Sequence, residues 1–376
     1  MTLRKMEGFE GQRNITILER GYAAATGTIA TEIGHRGNNS GISSANLLLT
    51  TVDLLDGAAD QNTWVLGWAM RMNSGNGLSP SATVIPYISL RSAAGEQLRV
   101  EFVAFNESKP GGNRYKMRVM RGATTLATSV DSFDGNITEN NWTYFEFEAV
   151  VRTSTNGSFS LRYHDRYRKN MVATWSAANT GVNTANQGAD GADRFELALT
   201  QNPSTSIAVD DLYALDGVGS VNNGKVGEFE VEAIDVTGDG ATLQWDLQGG
   251  AASLEDAWNE AATTQSADED DKRVSTSTAA EVELAALANT LLIRNVTVVG
   301  IETRLGGRMD ATGSRDVQFY YRKTTGTPAE VGTKTVTFTS TSLVTHYDVR
   351  ETDPNTSAAW VVADIDGLQA GAKLIS

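Results

Sequence analysis

The sequence predicts an all-β protein whose first part is a two-sheet sandwich. Its 376 residues include 36 glycines, and the Thr, Ser, Asn and Val that accompany them favour short strands joined by many turns. Apolar and polar residues alternate in short runs bounded by Gly, Asn and Pro, which is the pattern of strands with one buried face. Hydrophobic residues make up 40% of the chain and aromatics 7%, enough for a folded core.

Eight strands are predicted in the first two-thirds of the chain, a number that suggests a sandwich. They are 64–73, 83–92, 97–105, 114–120, 143–152, 158–163, 194–200 and 206–213. Turn signals separate them, among them Asn156-Gly157, a dipeptide that closes tight hairpins. We therefore expect consecutive strands to pair antiparallel.

A domain boundary is predicted near residue 222. Small, flexible residues at 217–225 follow the eighth strand, and a new alternating run occupies 226–235. We expect a first domain at 1–221 and a smaller, β-rich second domain at 222–376. The first holds 19 basic and 22 acidic side chains and the second 12 and 24, so most of the net charge of −15 lies in the second.

Within the second domain, β patterning is interrupted by an acidic stretch. The segment 255–283 contains nine acids and is expected to be a solvated loop. Residues 280–292 have the composition of a short helix. Strands are expected where β patterning resumes, at 290–305, 316–323, 333–341 and 343–350.

Composition excludes several classes of function. A pI near 4.7 argues against nucleic acid or an anionic membrane as the main partner. The chain has no Cys, which removes disulfides, Cys-ligated zinc and a thiol nucleophile. Residues 1–11 lack the apolar run of a secretory signal, and no run of about 18 apolar residues occurs. We expect a soluble protein that gains stability from packing or assembly.

Three short motifs of the first domain resemble one fold family. They are 141–147 (NWTYFEF), 156–162 (NGSFSLR) and 209–213 (VDDLY), and the opening 8–11 (GFEG) agrees with them. This series resembles the concanavalin-A-like, laminin-G-like jelly rolls. The resemblance implies a jelly-roll sandwich over about the first 220 residues, although a fold does not determine a function.

The second domain resembles the C-terminal part of accessory structural proteins of tailed bacteriophages. The likeness rests on 210–217 (DDLYALDG), 238–245 (GDGATLQW), 268–271 (DEDD) and 353–373 (DPNTSAAWVVADIDGLQAGAK). It implies a virion component such as a capsid decoration protein, a head spike, or a neck or tail appendage. The implied partners are other virion proteins, such as the major capsid, portal, neck or tail proteins. The implied location is the virion, assembled in the cytoplasm of the bacterial host.

Candidate interface residues form a basic, tyrosine-containing segment in an otherwise acidic chain. Four cations and two tyrosines fall within eight residues, a combination enriched at protein interfaces; they are Arg162, Tyr163, Arg166, Tyr167, Arg168 and Lys169. The acidic residues 255–271 of another subunit would complement them, and a solvated hairpin tip is the alternative. Trp360 is a further interface candidate, with closure of the core as its alternative. We expect a homo-oligomer, for which a trimer is one form.

Binding of a host glycan is the main functional alternative. Sugar sites place aromatic rings beside polar side chains, and Trp175 and Tyr167 are the candidates. Trp64 and Trp68 share one strand face and are expected in the core. Lectin-like sandwiches also suggest a structural Ca²⁺, for which Glu10, Asp210 and Asp211 are candidate ligands.

Catalysis is not expected from the motifs present. The sequence has no HExxH, GxSxG or P-loop pattern. Glu146 and Glu148 share one strand face at a spacing that suits a retaining glycosidase, but Tyr144 and Val150 occupy the positions where a third carboxylate would lie. We expect a solvated outer face there and a non-enzymatic protein, with a glycoside hydrolase as the weaker alternative.

Overall fold

The computed structural model describes most of the chain and divides it into two compact units, 1–231 and 232–376. The described residues are 1–8, 22–31, 40–73, 86–105, 114–128, 142–165, 172–199, 206–228, 230–258, 273–290, 296–324 and 329–376. No helix within these stretches has the length and hydropathy needed to cross a membrane.

The described part of the first unit contains thirteen strands. They are β1 (Thr2–Glu7), β2 (Tyr22–Thr31), β3 (Ser40–Thr51), β4 (Thr63–Asn73), β5 (Pro86–Ser92), β6 (Gly95–Phe105), β7 (Arg114–Arg121), β8 (Thr124–Thr128), β9 (Trp142–Val150), β10 (Gly157–Asp165), β11 (Val172–Val182), β12 (Arg194–Leu199) and β13 (Ser206–Asp216). Each of the eight predicted strands is present, as β4, β5, β6, β7, β9, β10, β12 and β13. The predicted hairpin at Asn156-Gly157 joins β9 to β10, which pair antiparallel.

Strand β3 joins the two layers of the sandwich, because it pairs with a strand of each layer. Its residues 42–44 pair with β13, and its residues 47–50 pair with β12. The thirteen strands are hydrogen-bonded continuously, and the main path has the order β11-β10-β9-β4-β13-β3-β12-β5-β6-β7-β8. We call the part from β11 to β13 the first sheet and the part from β12 to β8 the second sheet. The rings of Phe102 in β6 and Phe145 in β9 meet with their centroids 5.1 Å apart. The two sheets therefore face each other across one core.

Strand alternation fills that core from both sheets. Trp64 and Trp68 are fully buried in it, as predicted, and Trp68 stacks on Phe145 at 5.4 Å. Phe147 points into the same core. Because neighbouring residues of a strand point to opposite faces, the side chains between these positions lie on the outer face of the first sheet.

The first unit ends at Val231 rather than at the expected residue 221. The reason is a set of hydrogen bonds that attach the segment after β13 to the first sheet: the N–H of Gly227 donates to Glu146 at 2.8 Å, and that of Val231 donates to Asp211 at 2.7 Å. The described residues of the alternating run 226–235 form no strand.

The second unit is a smaller β structure with two short helices. Its elements are β14 (Val236–Leu243), β15 (Asp246–Gln248), α1 (Leu254–Trp258), β16 (Arg273–Ser275), β17 (Val282–Leu287), β18 (Ile301–Gly307), β19 (Arg315–Lys323), β20 (Glu330–Phe338), β21 (Val344–Arg350), α2 (Val362–Ile365) and β22 (Leu368–Leu374). The main sheet has the order β14-β17-β22-β19-β20. The prediction of a concanavalin-A-like jelly-roll sandwich followed by a smaller β-rich unit is confirmed.

Three local expectations for the second unit need correction. The segment 280–292 contains β17 instead of a helix, because β17 is paired on both sides, with β14 and β22, and tertiary pairing overrides local propensity. Within the described part of the strand expected over 290–305, which is residue 290 and 296–305, strand β18 begins at Ile301. The acidic stretch 255–283 is not wholly a loop, because it overlaps α1 and contains β16; its central part lies outside the described residues.

Trp360 lies in the core of the second unit. Its side chain is 3% exposed among apolar residues of β19, β20 and β22, and its indole N–H donates to the carbonyl oxygen of Arg350 at 3.0 Å. This is the core position that the sequence offered as the alternative to a subunit contact. Nearby, the buried carboxylate of Asp353 accepts hydrogen bonds from Lys323 at 2.9 Å and from the Thr356 hydroxyl at 2.8 Å.

Candidate functional site

The outer face of the first sheet carries a group of polar side chains, which we call the covered cluster: Glu146, Asp211 and Tyr213, which are buried, and Arg162, which is 23% exposed. The phenol of Tyr213 donates to Glu146 at 2.5 Å, and the guanidinium of Arg162 donates to the other oxygen of that carboxylate. Glu146 is 0% exposed. The expectation of a solvated face at Glu146 is therefore wrong, because the described residues of 225–231 cover it and the N–H of Gly227 donates to its carboxylate.

A glycine allows the Tyr213 ring to take this position. Gly67 lies opposite Tyr213 in the β4–β13 pair, and a Cβ atom at residue 67 would lie 2.0 Å from Cε1 of that ring. The ring therefore lies directly against the β4 backbone. Burial, followed by the charge of Glu146, raises the pKa of Tyr213 well above its ordinary value. The phenol is thus protonated near neutral pH and serves as a donor to Glu146.

A bulge in β13 places two consecutive aspartates in the interior. The pairing with β4 is irregular between Asp210 and Tyr213, and Asp211 has a positive φ of 49°. Strict alternation is broken there, and both aspartates are 0% exposed. One Asp210 oxygen accepts the Asp211 N–H at 2.8 Å.

These aspartates do not gather into a metal site in the described part of the chain, where no group of three or more His, Asp or Glu side chains lies close enough to hold an ion. Calcium needs several oxygen ligands. Glu10, the third candidate ligand, lies outside the described residues. The expected Ca²⁺ site therefore gains no support from the two aspartates that can be placed.

Glu148, the second carboxylate of the catalytic pair considered above, has different surroundings from Glu146. Its side chain is 39% exposed and accepts from Lys225 at 2.7 Å and from Ser160 at 3.2 Å. One carboxylate is therefore sealed and the other is open to solvent. Residues 225–231 hold both.

The outer face of the second sheet carries a different polar surface, which we call the arginine face: Tyr87, Arg91, Arg99 and Arg118 with Glu101 and Glu196. Strand pairing aligns Tyr87, Glu101 and Arg118 across β5, β6 and β7. Glu101 accepts a hydrogen bond from Arg99 at 3.0 Å and forms an ion pair with Arg118. The arginines are thus fixed across neighbouring strands.

A second carboxylate anchors the other side of the arginine face. Glu196 of β12 accepts from Arg91 at 2.9 Å, from Tyr87 at 2.8 Å and from Thr50 at 3.0 Å. Burial, followed by the hydrogen bond to Glu196, raises the pKa of Tyr87 above its ordinary value. Arg99 lies over the Tyr87 ring, 5.9 Å from its centroid.

The arginine face is layered. The side chains of Arg91, Arg99 and Arg118 are 29%, 24% and 32% exposed, whereas those of Glu101 and Glu196 are 4% and 10% exposed. The carboxylates lie beneath and the guanidinium groups face solvent. Each guanidinium carries five N–H donors, so the accessible layer is rich in hydrogen-bond donors.

The remaining candidates from the sequence are dispersed. Tyr163 is buried in the sandwich core, 6.3 Å from the Phe145 ring, while Arg162 belongs to the covered cluster. Trp175 lies on β11 opposite Leu161. The others, Arg166, Tyr167, Arg168 and Lys169, lie outside the described residues.

Sequence reasoning did not find the arginine face. Its signal was present, because polar residues alternate with core residues in three consecutive predicted strands, 83–92, 97–105 and 114–120. Alternation places them on one face, but only the cross-strand register shows which of them are neighbours.

Comparisons with known proteins give similar folds. No protein-family model and no curated protein matches the sequence. The endo-β-1,4-glucuronan lyase from the fungus Trichoderma reesei is 11% identical with a TM-score of 0.34, covering 57% of this chain and 95% of that chain. The PL-14 alginate lyase from Aplysia kurodai is 8% identical with a TM-score of 0.38, covering 57% and 100%. The Lotus tetragonolobus seed lectin is 8% identical with a TM-score of 0.31, covering 53% and 95%.

One expectation is contradicted by these matches. The chain was expected not to be an enzyme, yet the similar structures include polysaccharide lyases and the catalytic domain of a glycoside hydrolase family 131 protein from Coprinopsis cinerea. That expectation rested on missing sequence motifs, and it is not kept. The matches show nothing of a phage virion protein.

Proposed function

We propose that this protein binds polysaccharide, and that the arginine face recognises sugars that carry carboxylate groups. The observation that carries the proposal is the layering: guanidinium groups that are about a quarter to a third exposed lie over buried carboxylates that hold them in place. A planar guanidinium matches a carboxylate in bidentate geometry. Because the arginines are already fixed, little side-chain entropy is lost on binding.

The net charge of −15 does not oppose this proposal. The excess negative charge is mostly in the second unit, since 1–221 holds 19 basic and 22 acidic side chains. At physiological salt the Debye length is about 8 Å, so distant charges are screened. Contacts at the arginine face then decide whether an acidic sugar binds.

The test is binding of a glucuronate hexasaccharide to the full chain, measured by calorimetry. Arg99→Ala should weaken binding by about 10-fold or more, because a hydrogen bond to a charged group contributes about 1.5–3 kcal/mol. Arg118→Ala should act in the same direction. Arg152→Ala is the matched control, since Arg152 is a half-exposed arginine paired with Asp190 outside the face, and it should bind like the unmodified protein.

Three results would contradict the proposal, of which the first two are no binding by the unmodified protein and equal binding by Arg99→Ala and Arg152→Ala. Thermal unfolding of each variant shows whether the fold is kept. A preference for the neutral cellohexaose over the glucuronate hexasaccharide would contradict the assignment to acidic sugars.

We also propose a setting, a tailed-phage virion, in which the second unit attaches to other virion proteins or to its own copies. The support is the ordered likeness of 210–217 and 353–373 to phage accessory proteins. An electron-microscopy map of an intact particle tests it: density for this chain on the capsid, neck or tail is expected. A particle that contains none of this protein would refute it.

A further inference from the structure

The three arginines of the arginine face lie along a diagonal of the second sheet. Arg118 of β7 shares a row with Tyr87 of β5, because Glu101 of β6 pairs with both residues. Arg91 lies four residues further along β5 than Tyr87, and Arg99 of β6 lies between the two end arginines. With about 3.4 Å per residue and about 4.8 Å per strand, the Cα atoms of Arg91 and Arg118 are about 17 Å apart.

The two ends of this diagonal are held by different carboxylates. Arg91 donates through Nη1 to Glu196 of β12 at 2.9 Å, whereas Arg118 forms its ion pair through Nη2 with Glu101. The Tyr87 side chain lies between the two anchors, because its phenol donates to Glu196 at 2.8 Å while its backbone pairs with Glu101. The arginine face therefore offers two separate positions for a carboxylate, which we call the Arg91 subsite and the Arg118 subsite.

Each end arginine has N–H groups that its own carboxylate does not use. A guanidinium carries five N–H donors, and the hydrogen bond from Arg91 to Glu196 uses one of them. The Nε atom of Arg118 is buried and makes no hydrogen bond within the described part of the chain. A buried donor without an acceptor is destabilising, and an acceptor oxygen supplied by a ligand removes that penalty. The Arg118 side chain is 32% exposed, so a ligand reaches this guanidinium from solvent.

The arginines of the face are balanced by glutamates, which limits the affinity of either subsite alone. The three guanidinium groups pair with Glu96, Glu101 and Glu196. Attraction between a ligand carboxylate and one guanidinium is therefore offset by repulsion from the glutamate that holds it. When one molecule occupies two such sites, the second contact is intramolecular, and affinity rises by about 100-fold to 10,000-fold. A ligand with two suitably spaced carboxylates therefore binds far more tightly than a ligand with one.

We propose that the arginine face binds two carboxylates of one polyuronate chain at the same time, one at the Arg91 subsite and one at the Arg118 subsite. The inference rests on the proposed function, because it takes the arginine face as the site for acidic sugars. The polysaccharide then runs diagonally across β5, β6 and β7, with its middle part over Arg99. A polymer in which every sugar carries a carboxylate meets both subsites, whereas a single acidic sugar occupies only one of them.

The experiment compares glucuronate with the glucuronate hexasaccharide on the full chain. Calorimetry gives the affinity and stoichiometry of the hexasaccharide, and competition against the hexasaccharide gives the affinity of glucuronate. We expect one hexasaccharide per protein chain, bound about 100-fold or more tighter than glucuronate. Arg91→Ala and Arg118→Ala should each weaken hexasaccharide binding by about 10-fold or more, because either change leaves a single subsite. Arg152→Ala is again the control, since Arg152 pairs with Asp190 outside the face.

Amide hydrogen exchange in β5 and β7 shows whether each variant keeps its fold. Where an alanine variant loses protection, the lysine variant replaces it, because lysine keeps the positive charge beside the glutamate but lacks the planar fork of arginine; it should also weaken hexasaccharide binding. An unmodified chain that does not bind the hexasaccharide would overturn the proposed function as well. Three results would overturn the inference alone: glucuronate that binds within about 10-fold of the hexasaccharide, two hexasaccharides per protein chain, or an end-arginine variant that binds the hexasaccharide like Arg152→Ala.

Discussion

Replacing Gly67 by alanine should remove Tyr213 from the covered cluster. The new Cβ would lie 2.0 Å from Cε1, 2.5 Å from Cδ1 and 2.6 Å from Cζ of the Tyr213 ring. Carbon atoms pack at about 3.5–4.0 Å, so the ring has to retreat by more than about 1 Å. Its 2.5 Å hydrogen bond to Glu146 would then break inside a fully buried site.

The expected loss of unfolding free energy is the sum of two destabilising effects, reduced by one stabilising effect. Overpacking a filled site costs about 1–3 kcal/mol, and a lost hydrogen bond to a buried charged group costs about 1.5–3 kcal/mol. Replacing a glycine inside a strand by alanine stabilises the strand by about 0.5–1 kcal/mol. We expect Gly67→Ala to destabilise the first unit by about 2–5 kcal/mol.

Amide hydrogen exchange in β4 and β9 is the suitable assay, because it reports on the first unit in a chain whose two units need not unfold together. The control is the same substitution in a Tyr213→Ala background, where the ring that would clash is absent. There Gly67→Ala should be neutral or slightly stabilising. An equal loss of stability in both backgrounds would refute the argument, because the close approach to Tyr213 would not be its cause.

Three further outcomes follow from the described contacts. The backbone N–H of Thr153, then the Arg152 guanidinium and the Thr153 hydroxyl, lower the pKa of Asp190 to about 2. The contribution of Asp190 to stability is present above about pH 4 and lost as the pH falls toward 2. Thr153→Ala removes the hydroxyl and keeps the N–H, so an NMR titration should show a partial rise of the carboxyl pKa. Asp353→Asn should destabilise the second unit by about 1.5–3 kcal/mol, because it removes a buried carboxylate that accepts from Lys323, whereas Lys323 keeps its pair with Asp364. Exchange in β22 measures this loss. Phe145→Ala should lower the unfolding free energy of the first unit by about 3–5 kcal/mol, as measured by hydrogen exchange in β6. A loss of stability below about 1 kcal/mol would show that the contacts of this ring contribute little.

Strands were predictable wherever alternation was regular. In the predicted strands, such as β4 and β9, every second residue is an apolar residue of the core. Strands β2 and β3 were not predicted because they contain runs such as Ala23–Ala25 and Leu47–Leu49, whose uniform polarity hides a two-residue period. Strand β17 was taken for a helix because its Glu, Leu and Ala residues favour helices, whereas pairing with two neighbours decided its conformation.

The sites were less predictable because they depend on residues far apart in the chain. The pattern did place Glu146 and Glu148 on one outer face, which the structure confirms. Their different exposure could not be inferred, since the cover comes from residues 225–231, about 80 positions later. The arginine face depends on the register between β5, β6, β7 and β12, which alternation within one strand does not fix.

Strand alternation couples the core of this protein to its outer faces. Each ring that fills the sandwich places its sequence neighbours outside, so Phe145 and Phe147 determine where Glu146 lies, just as Leu98 and Val100 determine where Arg99 lies. Placement alone does not make a binding site, because the ligand must also reach it. Arg99 remains 24% exposed and Glu146 is sealed, so of these two side chains only Arg99 is accessible from solvent.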